Sequence, residues 1–267
     1  MATLQQIIDA FVQQATTAKT SPDVARYAHV CMEDLSEYLS YFSDLFQDQE
    51  MIDEGELAEW ESGLNEHMNH LLEGDIDPVS DLGSLPLAAL EPEHLRDFLC
   101  WFVVRERGDS EQVRCYSAVL AEWLAYIAQR GLWNREQFMR FQAMLDETAP
   151  AALRTVQLSQ VLFHFVRAGA ALSPRQRGQR FSSFVEGHAR VVAVGDGFLR
   201  FVFEENSEEF GPIMMPAAVL KLIEVGDLFD VEIGLRGDCW VMVDIGPIYP
   251  RCVSIDMDLN QGAGHLI

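Results

Sequence analysis

Val191-Val192-Ala193-Val194, Gly195-Asp196-Gly197, Phe198-Leu199-Arg200-Phe201-Val202-Phe203 is the stretch that decides the fold. Two runs of β-branched and aromatic residues flank glycines that accept positive φ, which predicts a β-hairpin. Toward the C-terminus the same pattern continues. Ile213-Met214-Met215 reads as a short strand, Pro216 starts a helical turn through Leu222, and Val225-Gly226-Asp227 turns into a strand over Leu228 to Leu235. Arg236-Gly237-Asp238 turns into Cys239 to Ile245, Gly246-Pro247 interrupts, and a closing strand is expected near Arg251 to Ile255. Roughly five or six short strands in about 75 residues bury a core only by curling, so a small barrel of the OB or SH3-like type is expected.

Toward the N-terminus the apolar period changes to that of a helix. Leu4, Ile7, Ile8, Phe11, Val12 and Ala15 form one stripe. Ser21-Pro22-Asp23 supplies an N-cap, a first-turn proline and a favourable charge for a long helix carrying Ala28, Cys31, Met32, Leu35, Leu39, Phe42 and Phe46. Leu57, Trp60, Leu64, Met68 and Leu71 mark a third helix, stopped by Gly74, and these three suit an antiparallel bundle. Pro92 opens a helix ended by Gly108, Ser110 caps the next, and Gly131 closes it. Asn134 and Gln137 form a capping-box pattern for a helix to about Leu145, and Pro150 is expected to open a last one through Val156, Leu162 and Phe165.

The fold class that follows is α+β and multidomain: an N-terminal all-α region, then a small C-terminal β-barrel. The expected parts are an acidic helical bundle at 1–75, an ordered loop or linker at 76–92, and a second helical part at 93–172. An arginine-rich junction at 173–185 then leads to the barrel at 186–267.

Charge is polarised along the chain. The net charge is −23, yet no acid occurs between Glu147 and Glu186, where Arg154, Arg167, Arg175, Arg177 and Arg180 lie. The rest of the protein therefore carries −28 against +5 for that stretch. Arg175, Arg177 and Arg180, with Phe181 and Phe184, are the candidate binding residues. They could hold a phosphate backbone and stack bases. The alternative is internal: the guanidinium groups pair with the protein's own acidic parts and fix how the helices meet the barrel. The second is preferred, because a surface this negative repels nucleic acid.

Assembled chemistry is absent from the sequence. There is no Gly-x-Ser-x-Gly elbow, no P-loop and no strand-embedded Gly-x-Gly-x-x-Gly. Glu66, His67, His70 and Glu73 share a helix, but the i, i+3 histidine pair lacks a second cluster, and a solvated face is expected instead of a metal site. Glu91-Pro92-Glu93-His94 has Glu-x-x-His spacing in one copy only, where a di-iron bundle needs two, so it reads as a helix start. The five cysteines include no Cys-x-x-Cys and read as reduced core residues. No catalytic residue, metal or cofactor is expected. With no long apolar run and no secretory pattern at the N-terminus, no membrane is expected and the cytoplasm is the expected compartment.

His94 to Trp133, HLRDFLCWFVVRERGDSEQVRCYSAVLAEWLAYIAQRGLW, resembles the helical core-binding domain of tyrosine recombinases: two helices flank a short polar turn and the second ends in a Gly-aromatic pair. That family's catalytic Arg, His-x-x-Arg and Tyr set has no counterpart in the C-terminal part, so the resemblance implies DNA contact at most. Arg114, Arg130, Arg135 and Arg140 would make it. The functional expectation is a non-catalytic, bacterial-type cytoplasmic adaptor or regulator acting through an unidentified protein partner. The alternative is a nucleic-acid-binding regulator using the middle helices, the arginine junction and the barrel. Oligomeric state stays open.

Overall fold

The computed structural model describes residues 2–17, 21–43, 45, 82–169, 180–204 and 208–253. The third expected helix, its histidine pair, Arg175, Arg177 and the end of the expected closing strand lie outside the described residues. The chain is α+β, with helices in the N-terminal part and a five-stranded sheet in the C-terminal part.

The helical part begins with α1 (Leu4–Thr17) and α2 (Pro22–Tyr41). Ser21 caps α2 through its side chain, accepting from Val24 N–H at 3.3 Å, with Pro22 in the first turn. The loop through Leu82, Leu85 and Leu90 is pinned under these helices by its leucines and by the Leu4 N–H bond to the Leu85 carbonyl. Next comes α3 (Pro92–Asp97), which passes through a π-helical turn (Phe98–Phe102) into α4 (Val103–Glu106). Glu91-Pro92-Glu93-His94 is a helix start, but the residue returning to the cap is histidine: His94 Nδ1 accepts from Glu91 N–H at 2.9 Å.

Helix α5 (Ser110–Gln129) is capped by Asp109, one residue before the expected Ser110, because the Asp109 carboxylate reaches Glu111 N–H at 3.1 Å. Asn134 and Gln137 make the reciprocal capping box of α6, at 2.8 and 3.1 Å. That helix runs unbroken from Arg135 to Arg167 with Pro150 inside it, where a break is expected from sequence. The proline removes one hydrogen bond and costs about 3 kcal/mol in an ordinary helix interior. Burial on both sides outweighs it: Phe141, Leu145, Ala152 and Val156 belong to the helical core, whereas Leu158 and Leu162 belong to the core of the sheet. One helix thus serves two cores.

The strands are β1 (Ser183–Val194), β2 (Phe198–Phe203), β3 (Glu209–Met214), β4 (Leu228–Arg236) and β5 (Cys239–Tyr249), with α7 (Ala217–Leu220) between β3 and β4. β1 is long enough to pair antiparallel with β4 along its first part and with β2 along its second. A single parallel bridge, Ile213 to Trp240, joins β3 to β5, and the strands close in the order β1-β2-β3-β5-β4. The hairpin expected at 191–203 is present and its turn is closed by Gly195 N–H donating to the Phe198 carbonyl at 2.8 Å.

Gly246-Pro247 does not end a strand. Val231 pairs with Ile245 and Phe229 with Ile248, so Asp230 alone faces the two residues Gly246 and Pro247. This is a β-bulge, where a proline costs no ladder bond. A Cβ at Gly246 would stand 2.5 Å from Asp230 Oδ2, so a larger residue there would have to displace that carboxylate. Among the described residues the strands number five: β5 runs through Gly246-Pro247 to Tyr249, and residues 251–253, where the closing strand is expected to begin, form no strand.

Candidate functional site

Two places combine charged or aromatic side chains in an unusual setting. The first is where α6 meets the sheet. Arg154 and the carboxylate of Asp227, which has no exposed surface, form a two-armed pair at 2.6 and 2.8 Å. Arg154 also donates to the Leu222 carbonyl at 2.7 Å, and Asp227 accepts from Glu224 N–H at 2.8 Å. Burial works against the Arg154 charge, but the hydrogen bonds and charge of Asp227, with that of Glu224, more than offset it and hold its pKa above the usual value. Ser159 adds a bond to the Gly246 carbonyl at 3.2 Å. Every polar group here is used internally.

The second is an aromatic and cationic platform at the start of β1. Phe184 pairs across to Gly234 of β4. The absence of a side chain at Gly234 gives Phe181 its seat: a Cβ there would lie 2.6 Å from the Phe181 ring. Arg236 covers that ring, its guanidinium carbon 4.1 Å from the centroid. The Phe181 and Phe184 rings are 4.9 Å apart, and Phe184 is 53% exposed. Arg180, next to Phe181 in the chain, is exposed and makes no hydrogen bond or ion pair within the described residues. An exposed ring on a strand, backed by a second ring and a cation, suits an apolar group flanked by negative charge.

Of the candidate binding residues, Phe181 and Phe184 are brought together, and Arg180 adjoins them in the chain. Phe184 belongs to β1, which starts at Ser183, ahead of the expected 186. Arg236, read from sequence only as a turn residue, belongs to the platform; the small residue two positions before it, Gly234, is the signal that a ring sits there. Arg154 was one arginine among five in the acid-free stretch, and its burial marks it out.

The arginines of the recombinase-like segment are dispersed. Arg114 pairs with Asp23 at 3.0 Å, Arg130 bonds Gln14 at 3.2 Å and lies over Tyr126, and Arg140 pairs with Glu91 at 3.4 Å. Arg135 is exposed without a polar partner within the described residues. Arg114 and Arg130 are about 24 Å apart along α5 at 1.5 Å per residue, so the four do not make one phosphate-sized patch.

A buried polar cluster ties α2 to α4 and α5. Arg107 binds Asp34 through two bonds at 3.0 and 2.6 Å, and the Tyr116 hydroxyl donates to Asp34 Oδ2. Gln112 donates to the Tyr116 oxygen at 2.9 Å. Burial first, then the hydrogen bond to Asp34, pushes the Tyr116 pKa up. Its groups are consumed by one another, which is the pattern of a structural tie. Among the described residues no group of three or more His, Cys, Asp or Glu could hold a metal ion, and no helix is long and apolar enough to cross a membrane. Comparison with protein-family models, curated proteins and solved structures finds no match.

Proposed function

We propose that this chain is a non-catalytic cytoplasmic adaptor or regulator that docks a protein segment on the platform formed by Phe181, Phe184 and Arg236, with Arg180 at its margin. The single observation that carries this is the exposed Phe184 ring, held on a strand and backed by a ring that Arg236 covers. Such anchors are typical of binding hot spots, where aromatic and arginine side chains dominate. The matching segment presents an apolar or aromatic side chain next to carboxylates. We assign the barrel to the OB type, supported by its closing order, the parallel β3 and β5 bridge and the helix between β3 and β4.

Nucleic acid is the second reading, favoured by one feature: OB barrels stack bases on exposed aromatic residues beside cations. Against it stand the net charge of −23 and the internal pairing of Arg114, Arg130 and Arg140. A photo-reactive phenylalanine analogue at position 184 of the full chain separates the two. Cross-links to protein that vanish with Phe181→Ala and Arg236→Glu are expected. Salt-sensitive binding of single-stranded DNA or RNA that is lost with Phe184→Ala would replace the adaptor reading with the nucleic-acid one.

A further inference from the structure

Strand β1 is paired on both sides along only part of its length. From Ser183 to Arg190 it lies against β4 in an unshifted register, Ser183 opposite Leu235 and Arg190 opposite Leu228. Against β2 it pairs only from Ala189 onward, with one further bond from Glu204 N–H to the His188 carbonyl at 3.1 Å. Over Ser183 to Gly187, no strand among the described residues lies on the β2 side.

Backbone alternation identifies the groups left over. In an antiparallel ladder a residue turns both its N–H and its carbonyl to one neighbour, and the next residue turns to the other side. Val191 turns toward the chain leading into β4: its N–H donates to the Asp227 carbonyl at 2.9 Å and its carbonyl accepts from Gly226 N–H at 2.8 Å. His188 turns its carbonyl toward β2. Counting back in twos, Val185 and Gly187 bond β4, whereas Phe184 and Glu186 point N–H and C=O to the open edge. Among the described residues nothing bonds them there.

Side chains give this edge a charge pattern. Glu186 stands opposite Glu232 of β4, which stands opposite Asp244 of β5, so three carboxylates form a row across one face. Like charges directly opposite repel, and the printed cation of the row is Arg167, 3.9 Å from Asp244 at its far end. The next row holds Phe184 and Gly234 on the same face, and beyond it lie Arg236 over the Phe181 ring and the exposed Arg180. An unpaired edge is a template for another strand. We propose that an extended segment of a partner protein adds to β1 at Ser183–Gly187 as an antiparallel strand, reading base-x-apolar-x-acid. The base sits beside Glu186 and completes the acidic row, the apolar side chain packs on Phe184, and the acid meets Arg180 and Arg236. This rests on the docking reading above and specifies its mode: main-chain bonds to Phe184 and Glu186 hold the segment, and alternate side chains select it. Two copies of this chain, each of net charge −23, repel one another and fit the edge less well.

The test is amide hydrogen exchange of the full chain read by NMR, with the acetylated and amidated peptide Thr-Lys-Val-Phe-Val-Asp-Thr as probe. In the free chain the Phe184 and Glu186 amides should exchange about 100-fold faster, or more, than those of Val185 and Gly187, which bond β4. Millimolar peptide should slow the first two and leave the others unchanged. Glu186→Pro removes an N–H that no ladder bond uses and should weaken the peptide about fivefold or more. Glu186→Lys keeps that N–H and should weaken this peptide while strengthening one with lysine and aspartate exchanged. If Glu186→Pro fails to fold, the exchange pattern of the unaltered chain decides. The proposal is overturned if Phe184 and Glu186 are protected in the dilute free chain, if their protection rises with chain concentration alone, or if the peptide leaves them exchanging freely. Protein cross-links from position 184 that vanish with Phe181→Ala yet persist in full with Glu186→Pro would overturn strand addition and leave the docking reading standing. Peptide protection of both amides without any protein cross-link would do the reverse.

Discussion

Replacing Arg154 by methionine should remove the main polar tie between α6 and the sheet while keeping its aliphatic bulk. Asp227 then remains as a carboxylate with no exposed surface and one remaining donor, Glu224 N–H at 2.8 Å. Removing one partner of a buried ion pair costs about 3 to 5 kcal/mol. The Arg154 side chain is 17% exposed, so water relieves part of this, and the lower end of that range, about 3 kcal/mol, applies. At a urea slope of about 3 kcal/mol per molar for a chain of this size, the unfolding midpoint should fall by about 1 M. Asp227→Asn, which keeps an acceptor for Glu224 N–H, should cost about 2 kcal/mol by losing the charge-assisted bonds. The double variant should cost far less than the sum, with a coupling of about 1.5 kcal/mol or more, because each single change already breaks the pair. Circular dichroism and tryptophan fluorescence in urea measure all three. Trp101, Trp123 and Trp133 are buried in the helical core, and Trp240 packs against the core of the sheet, so single-tryptophan variants report each part. A midpoint shift below about 0.2 M for Arg154→Met, or additive costs, would refute the assignment of this pair as the tie; a pair so readily lost would have the worth of a surface salt bridge.

Restoring the missing helical N–H with Pro150→Ala should stabilise the chain by about 1 to 3 kcal/mol, read as a higher thermal midpoint, because the position is exposed and mid-helix. Alkali should destabilise the protein: folding raises Tyr116 above its ordinary 10.0 and Cys31 well above its ordinary 9.0, so their contribution is complete below those values and is lost as pH climbs through the raised ones. The loss of urea resistance as pH rises above about 10 should be shallower in Tyr116→Phe, which removes the Tyr116 titration. Gly234→Ala should displace the Phe181 ring, since the new Cβ meets it at 2.6 Å; cross-linking from position 184 should fall while thermal stability changes by less than about 1 kcal/mol, the ring being free to swing outward.

What was legible in the sequence was local. The Ser21 and Asn134 caps, the Gly108 and Gly131 stops and the 191–203 hairpin follow from side chains bonding or freeing the backbone within a few residues. Pro150 and Gly246-Pro247 misled for the opposite reason. Each proline does weaken its own element locally, but the outcome is set by distant partners: Leu158 and Leu162 anchoring the far half of α6, and Asp230 of β4 facing the bulge in β5. The platform was half legible. Phe181 and Phe184 stand close in sequence, whereas Arg236 arrives only through the pairing of β1 with β4, which no local pattern encodes.

The acid-free stretch now has a physical cause along its described length. From Pro150 to Arg167 it is the part of α6 that passes from one core to the other, beside the sheet. An acid on its buried face would lie near Asp227, adding a repulsion that a site of low dielectric amplifies. Arginine at 154 does the reverse, and Arg167 lies 3.9 Å from Asp244 at the exposed end of the same contact. The charge pattern therefore marks an internal seam where the acid-free half of α6 meets Asp227 in the turn before β4 and Asp244 of β5.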